Sequence, residues 1–259
     1  RRFSNFNGAT SGGDIANSPS DMKLSGWGAG FVLGMMYHLK TNTYIGWSYR
    51  SQINYHLEGN GQQYVQSGGI PNPVPNPTGP YNSNTTANAD FNTPAVLNLS
   101  VTQKITNAWD VKATYQRTFW SSLQSVTVNM PQAYVKNITM QMNWRDSNMY
   151  AVGTDYKLNK NWIIRAGVAY DETPTTSANR DARIPDANRI LTTTGISYNV
   201  GKHFTIDAAY EHIFMLKTDI NVTETAGKDD QGFPIEGNIV SANYSGSADI
   251  FAFGLNYKF

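Results

Sequence analysis

Ionisable side chains are scarce in this chain, at 15% of residues against about 25% in soluble domains. Those that could act on a solute recur at every second position of segments whose other positions are apolar. Arg50, Lys104, Asp110, Lys112, Asp155, Arg165, Asp171, Arg189, Asp207, Glu211, Asp249 and Lys258 make up this set. Opposite charges on one face can simply be solvated and pair with one another. Alternatively, some of the cations meet an anionic headgroup, a charge-assisted contact worth about 1.5–3 kcal/mol. Arg165, Arg189 and Lys112 are the foremost candidates because they lie within strands rather than at loop tips, and Arg50 is a further one. Asp171, Asp207 and Glu211 are placed to hold the arginines.

Enzymatic chemistry finds less support. A hydrolase needs a histidine poised between an acid and a nucleophile, and the histidines are His38, His56, His203 and His212. His38 and His203 fall at short turns, and His56 has no evident acid partner. Glu211 and His212 are neighbours, so on a strand they point to opposite faces. Nothing shows metal-ligand spacing, so no metal and no cofactor are expected. Cysteine is absent, which removes disulfides and thiolate sites and suits an oxidising envelope compartment. A net charge of +1 gives no footprint for nucleic acid.

The elements that position the charged set are strands. In the terminal stretch 248–259, Phe251, Phe253, Leu255, Tyr257 and Phe259 alternate with Ala252, Gly254, Asn256 and Lys258. Such a strand, apolar on one face, small or polar on the other and aromatic at its end, fits a transmembrane β-barrel. The same alternation predicts strands near 24–39, 44–57, 95–104, 109–126, 146–157, 161–173, 187–199, 203–222 and 238–259. Arg117 breaks the pattern and marks a bulge or the membrane boundary. Segments 59–94, 127–145, 174–186 and 223–237 read as long loops, the first too rich in Gly, Pro and Asn to form a ladder. The second class of candidate residues lies in such loops: Tyr64, Val65, Ile70, Val74 and Tyr81 could give a hydrophobic ligand a landing surface or merely pack the loop down.

Short turns near 40, 106, 159 and 201 alternate with the long loops, the arrangement of outer-membrane barrels with their short turns periplasmic. Tyr37, Tyr44, Trp109, Trp162, Phe204 and Phe259 cluster near those turns, where they would form an aromatic girdle at one interface. The reading is therefore an all-β fold, a transmembrane antiparallel β-barrel with nine strands in this chain. Residues 1–22 read as the end of an extracellular loop and 23–259 as the barrel strands. An odd strand count, an open edge exposed to lipid and an opening at Arg1 without a signal peptide imply processing or a missing upstream part.

Three stretches, GWGAGFVLGMMYHLKTNTYIGWSYRSQINYHLEGN, ADFNTPAVLNLSVTQKITNAWDVKATYQRTFWS and NWIIRAGVAYDETPTTSANRDARIPDANR, resemble the FadL/OmpP1/toluene-transport family over about 22–259. The resemblance implies a fourteen-stranded monomeric barrel of the Gram-negative outer membrane, with an N-terminal hatch and the first five strands upstream of this chain. It further implies passive uptake of long-chain fatty acids or aromatic hydrocarbons through binding sites in extracellular loops and lumen. Lys136 lies near a headgroup-contacting lysine of the family. The partners so implied are a hydrophobic small molecule, outer-membrane lipid and lipopolysaccharide, and detergent once the protein is extracted. A general small-solute porin and a structural or adhesion barrel are the alternatives.

Overall fold

Alternation of large apolar with small or polar residues makes strands wherever the sequence displays it. The computed structural model describes residues 2–4, 20–39, 42–65, 81–132, 137–180, 185–201, 203–228 and 234–258. Its strands are β1 (Arg2–Ser4), β2 (Ser20–Ser25), β3 (Val32–Leu39), β4 (Thr43–Arg50), β5 (Ile53–Val65), β6 (Tyr81–Thr93), β7 (Val96–Lys104) and β8 (Trp109–Thr118). They continue as β9 (Ser125–Asn129), β10 (Asn137–Gln141), β11 (Ser147–Lys157), β12 (Trp162–Asp171), β13 (Arg189–Val200), β14 (Phe204–Lys228) and β15 (Pro234–Tyr257). A nine-stranded antiparallel wall runs in the order β15-β14-β13-β12-β11-β8-β7-β4-β3, and a six-stranded sheet in the order β1-β2-β5-β6-β9-β10. The nine strands of the wall correspond to the nine expected, except that the expected strand 44–57 divides after Arg50 and its residues 53–57 belong to β5 of the other sheet.

Register separates the two faces of the wall. One carries Trp47, Leu99, Tyr115, Tyr150, Val152, Val168, Ile206, Phe251, Phe253 and Leu255 in facing rows. All of these side chains but the half-buried Tyr115 stay exposed, Phe253 at 84%, which only a hydrocarbon surrounding can reward. The other face carries glycine, alanine, serine, threonine and, Asp249 apart, the charged set. Wall strands meet at one end through tight turns. Asn42 and Gly201 take positive φ there, at 61° and 65°, a conformation that Asn and Gly tolerate. At another turn the Asn159 side chain accepts from the backbone N–H groups of Asn161 and Trp162 at 2.8 and 3.0 Å.

An aromatic girdle does line this end of the outer face: Tyr37, Trp109 and Phe204 are exposed, Trp162 stacks on Tyr198 at 4.4 Å and Phe204 on Tyr257 at 4.8 Å. Tyr44 is a correction. It points to the inner face and stacks on His38 at 4.3 Å, because its even position matches Gly46 and Ser48 rather than Ile45 and Trp47. Phe259 lies outside the described residues.

Beyond the opposite end, several expected loops prove to be ladder. β5 and β6 pair residue for residue from Ile53↔Thr93 to Val65↔Tyr81, so much of 59–94 is strand, with 66–80 outside the described residues. The expected strand 109–126 ends at Thr118, where a 3-10 turn, Trp120–Ser122, intervenes before β9. No bulge interrupts the β8–β11 register at Arg117, so that residue marks the end of the wall. β9 and β10 form a hairpin within the expected connection 127–145. The expected loop 223–237 is the tip of a β14–β15 ladder that reaches Lys228↔Pro234. Residues 2–4 and 20–25 are strand as well.

The expected strand 24–39 divides between the two sheets. β2 pairs with β5 and β3 with β4, and residues 26–31 cross between them. Gly26 is required at this crossing, since a Cβ there would stand 2.0 Å from the His56 carbonyl oxygen. The six-stranded sheet holds its own small core of Met22, Leu24, Ala87, Ala89, Val128 and Met130, with Leu57 packed against it.

Candidate functional site on the inner wall

Each wall strand contributes alternate residues to the inner face, and the register stacks them in tiers. One tier places Ala151, Ala169, Leu191, Ile213 and Ala248 side by side across five strands. The tier on the extracellular side of it holds Met149, Asp171, Arg189 and Met215. On the periplasmic side come Gly153, Gly167, Thr193 and Glu211, and then Asp155, Arg165, Gly195 and Ala209. An apolar strip thus lies between two polar tiers, and its half-buried Leu191 and Ile213 offer hydrocarbon to the lumen.

The lower polar tier is a continuous belt. Lys112 Nζ meets Asp155 Oδ2 at 2.5 Å, and Arg165 Nε stands 3.9 Å from Asp155 Oδ1. Arg165 also donates to Ser197 Oγ at 2.5 Å and stands 3.8 Å from Asp207 Oδ1. Ser197 Oγ donates to Asp207, and Asn256 Nδ2 donates to the other Asp207 oxygen at 2.7 Å. The belt takes one residue each from β8, β11, β12, β13, β14 and β15, consecutive in the sheet order. A glycine lies directly opposite Lys112, Arg165 and Asp207, namely Gly153, Gly195 and Gly254. The missing side chains let the charged groups lean along the wall to their partners.

The upper tier is built on Arg189, whose Nη2 reaches Asp171 Oδ2 at 2.8 Å and whose Nη1 stands 3.8 Å from Asp186 Oδ1. Of the expected lumenal residues, the structure thus joins Lys112, Arg165 and Asp207 in one group and Arg189 with Asp171 in another. Arg50 and Glu211 face inward but join neither group: Arg50 sits opposite Val32 and Val96, and Glu211 opposite Thr193 and Ile250.

Asp249 was expected inside and is outside. It pairs in register with His212, on the face that carries Phe251 and Phe253. Its Oδ1 accepts from Tyr210 Oη at 2.7 Å and lies 2.7 Å from His212 Nδ1. Residue type suggested a lumenal acid, yet parity decides the face and its polar partners offset the cost of a charge there. Glu211 and His212 do point to opposite faces. His56 is a second correction, because Asp90 on the neighbouring strand gives it an acid partner at 2.6 Å. Among the described residues neither histidine hydrogen-bonds a serine, and no group of three His, Cys, Asp or Glu could hold a metal ion.

The hydrogen bond from His56 to Asp90 raises the imidazole pKa above its ordinary 6.5, with Glu58 adding to the effect. The protonated form is then favoured in the folded protein, so this contribution is present below pH 6.5 and fades as pH rises through the raised value. An NMR titration should find the His56 midpoint above 6.5, and Asp90→Asn should return it toward that value. A midpoint indifferent to Asp90→Asn would refute the pairing.

Leu191 and Ile213 were missed at the sequence level. Their signal is a broken alternation, the apolar doublet Ile190-Leu191 and the apolar run Ile213-Phe214-Met215-Leu216. Of the expected loop residues, Ile70, Val74 and Lys136 lie outside the described residues. Tyr64 and Val65 end β5 and Tyr81 begins β6, but only their backbone is described. On the extracellular side the described residues form a polar cleft of about 850 Å³, lined by Lys23, Asn60, Gln62, Asn84 and Gln132 among others. Met22, Leu24, Ala87, Ala89, Val128 and Met130 of that sheet are taken up by its own core. A depression of about 870 Å³ bordered by Trp47, Tyr115, Tyr150 and Tyr170 belongs to the outer, apolar face of the wall. In the loop 174–186, Arg180 is buried and donates to the backbone carbonyls of Asp186 and Asp219, tying that loop to β14. Burial depresses its pKa.

Comparison with known proteins agrees with this architecture. The chain is 25% identical over 241 residues to a long-chain fatty acid transport protein of Escherichia coli O6:H1, across 92% of this chain and 51% of that one. The crystal structure of a Pseudomonas aeruginosa FadL homologue superposes with a TM-score of 0.74 at 25% identity, covering 93% of this chain and 54% of the other. The Ralstonia pickettii toluene transporter TbuX, at 21% identity and a TM-score of 0.60 over 93% and 50% of the two chains, shares the fold. The chain spans about half the length of the curated relatives it matches. The family model described as outer membrane protein transport protein (OMPP1/FadL/TodX) matches residues 4–259. The chain belongs to this family of outer-membrane β-barrel proteins that transport hydrophobic compounds.

Proposed function

We propose that this chain forms one side of a passive uptake channel for hydrophobic compounds, with long-chain fatty acids as the first candidate substrate and aromatic hydrocarbons as the second. The observation that carries the reading is the apolar strip centred on Leu191 and Ile213, extended by the inward Met215 and Ile250 and set among charged residues of the inner wall. A water-filled porin has no use for such a strip, whereas a hydrophobe leaving water gains about 25 cal/mol for each Å² it covers. Arg189 borders the strip on one side, Lys112 lies in the adjoining tier on the other and Arg165 one tier further, and together they frame the solute path. The named activities of the relatives, fatty acid and toluene transport, support the substrate classes. In this reading the wall is one arc of a larger barrel, since β3 and β15 end the sheet order without pairing to each other.

The test is flux through the intact protein in liposomes. Uptake of a fluorescent fatty acid or of toluene should rise above that of empty vesicles, while sugar-driven swelling should not. Sugar flux without uptake of either hydrophobe would refute the proposal in favour of a general porin.

A further inference from the structure

The charged groups beside the apolar strip indicate the charge state in which a solute passes. In the belt, the two cations Lys112 and Arg165 are matched by the two carboxylates Asp155 and Asp207. In the upper tier one guanidinium, Arg189, stands between the two carboxylates Asp171 and Asp186. Glu211 adds a further inward acid in the tier next to the strip.

A ligand carboxylate could reach Arg165 or Arg189 only by displacing one of these aspartates or by lying beside it. Either choice sets like charges a few ångströms apart. Nor are the aspartates easily displaced. Asp207 is held by Ser197 and Asn256 as well as by Arg165, and Ser197 is 1% exposed. Asp155 is shared by two cations. The charges of the cations are therefore already balanced within the wall, although Arg165 meets its two aspartates only at 3.8 and 3.9 Å, and what the tiers leave uncharged is the hydrocarbon beside them.

We infer that the inner wall selects for uncharged hydrophobes, so that a neutral molecule or a protonated acid occupies the strip in preference to a carboxylate. This rests on the uptake reading above. It turns the belt from a capture site for headgroups into a filter against them. A fatty acid would then shed its charge by taking a proton before reaching the strip.

The probes are 1-decanol and decanoate, matched in chain length, at pH 8 where the acid is ionised. Each competes with a neutral fluorescent hydrophobe bound to the intact protein in nanodiscs. Decanol should compete at least about tenfold more strongly than decanoate. In Asp155→Asn/Asp207→Asn, whose Lys112 and Arg165 are left unneutralised, the decanol-to-decanoate ratio should fall about tenfold. Decanoate competing as well as decanol against the native protein, or an unchanged ratio in a folded double variant, would overturn the inference. The native comparison decides alone if the double variant fails to assemble. Competition by neither probe would overturn the uptake reading and this inference with it. Decanoate-selective binding would leave uptake standing and remove only the filter.

Discussion

Leu191→Ser/Ile213→Ser should lower the affinity of the intact protein for a neutral hydrophobe by about 30- to 150-fold. Each substitution removes an aliphatic side chain from the strip that a solute would cover. Full burial of such a side chain is worth about 1.5–3 kcal/mol, and both residues are half-buried before any solute arrives. A combined loss of about 2–3 kcal/mol corresponds to that factor, at about 1.4 kcal/mol per tenfold. The fold should tolerate the change because neither side chain belongs to the buried set and serine suits an inward strand position beside a polar lumen. Competition binding with folded variants checks the result. An affinity within about threefold of the native protein would mean that the strip is not where hydrophobes bind.

Phe253→Arg should cost about 2–4 kcal/mol of folding stability, the penalty for an arginine near the bilayer midplane on a barrel's lipid face. Phe253 is 84% exposed and lies between the aromatic end at Tyr257 and the polar trio around Asp249. Four residues from Tyr257 correspond to about 13 Å along a strand, which places it well inside an apolar band about 25 Å tall. Its neighbour Ala252 faces Ala209 on the inner side, so Ala252→Arg should cost at most about 1 kcal/mol of stability. Denaturant titration of the reconstituted protein measures both. Equal penalties would contradict the assignment of the two faces.

The wall was readable in the sequence because membrane burial demands a continuous apolar face. Segments such as 164–170 and 251–257 therefore alternate without interruption. The upper sheet was not, and the reason is visible in β5 and β6. Met22 and Leu24 of β2 pack over Gly61 and Gly59 of β5, with Ala87 and Ala89 of β6 beside them. The large residues of this core come mostly from β2 and from Val128 and Met130, so β5 and β6 supply mainly glycine and alanine to it and show no hydrophobic period beyond Leu57. GNGQQYV and YNSNTTANADFNT consequently read as loop.

The site was half legible for a related reason. Parity placed Lys112, Arg165, Arg189, Asp171 and Asp207 on the inner face correctly. Which of them would meet could not be read, because the belt runs diagonally. Lys112 reaches past Gly153 to Asp155, and Arg165 past Gly195 to Ser197 and Asp207. Asp249 went astray because its charge was weighed above its position.

The central claim is that a hydrophobic solute lies against the inner strip and not against the lipid-facing wall. Because the chain contains no cysteine, single cysteines at positions 190 and 191 can each carry a spin label in the intact protein. Adding a neutral hydrophobe should reduce mobility and access to a polar relaxant for the label at 191, and leave the label at 190 unchanged. A response at 190 alone, or at neither position under saturating hydrophobe, would contradict the account.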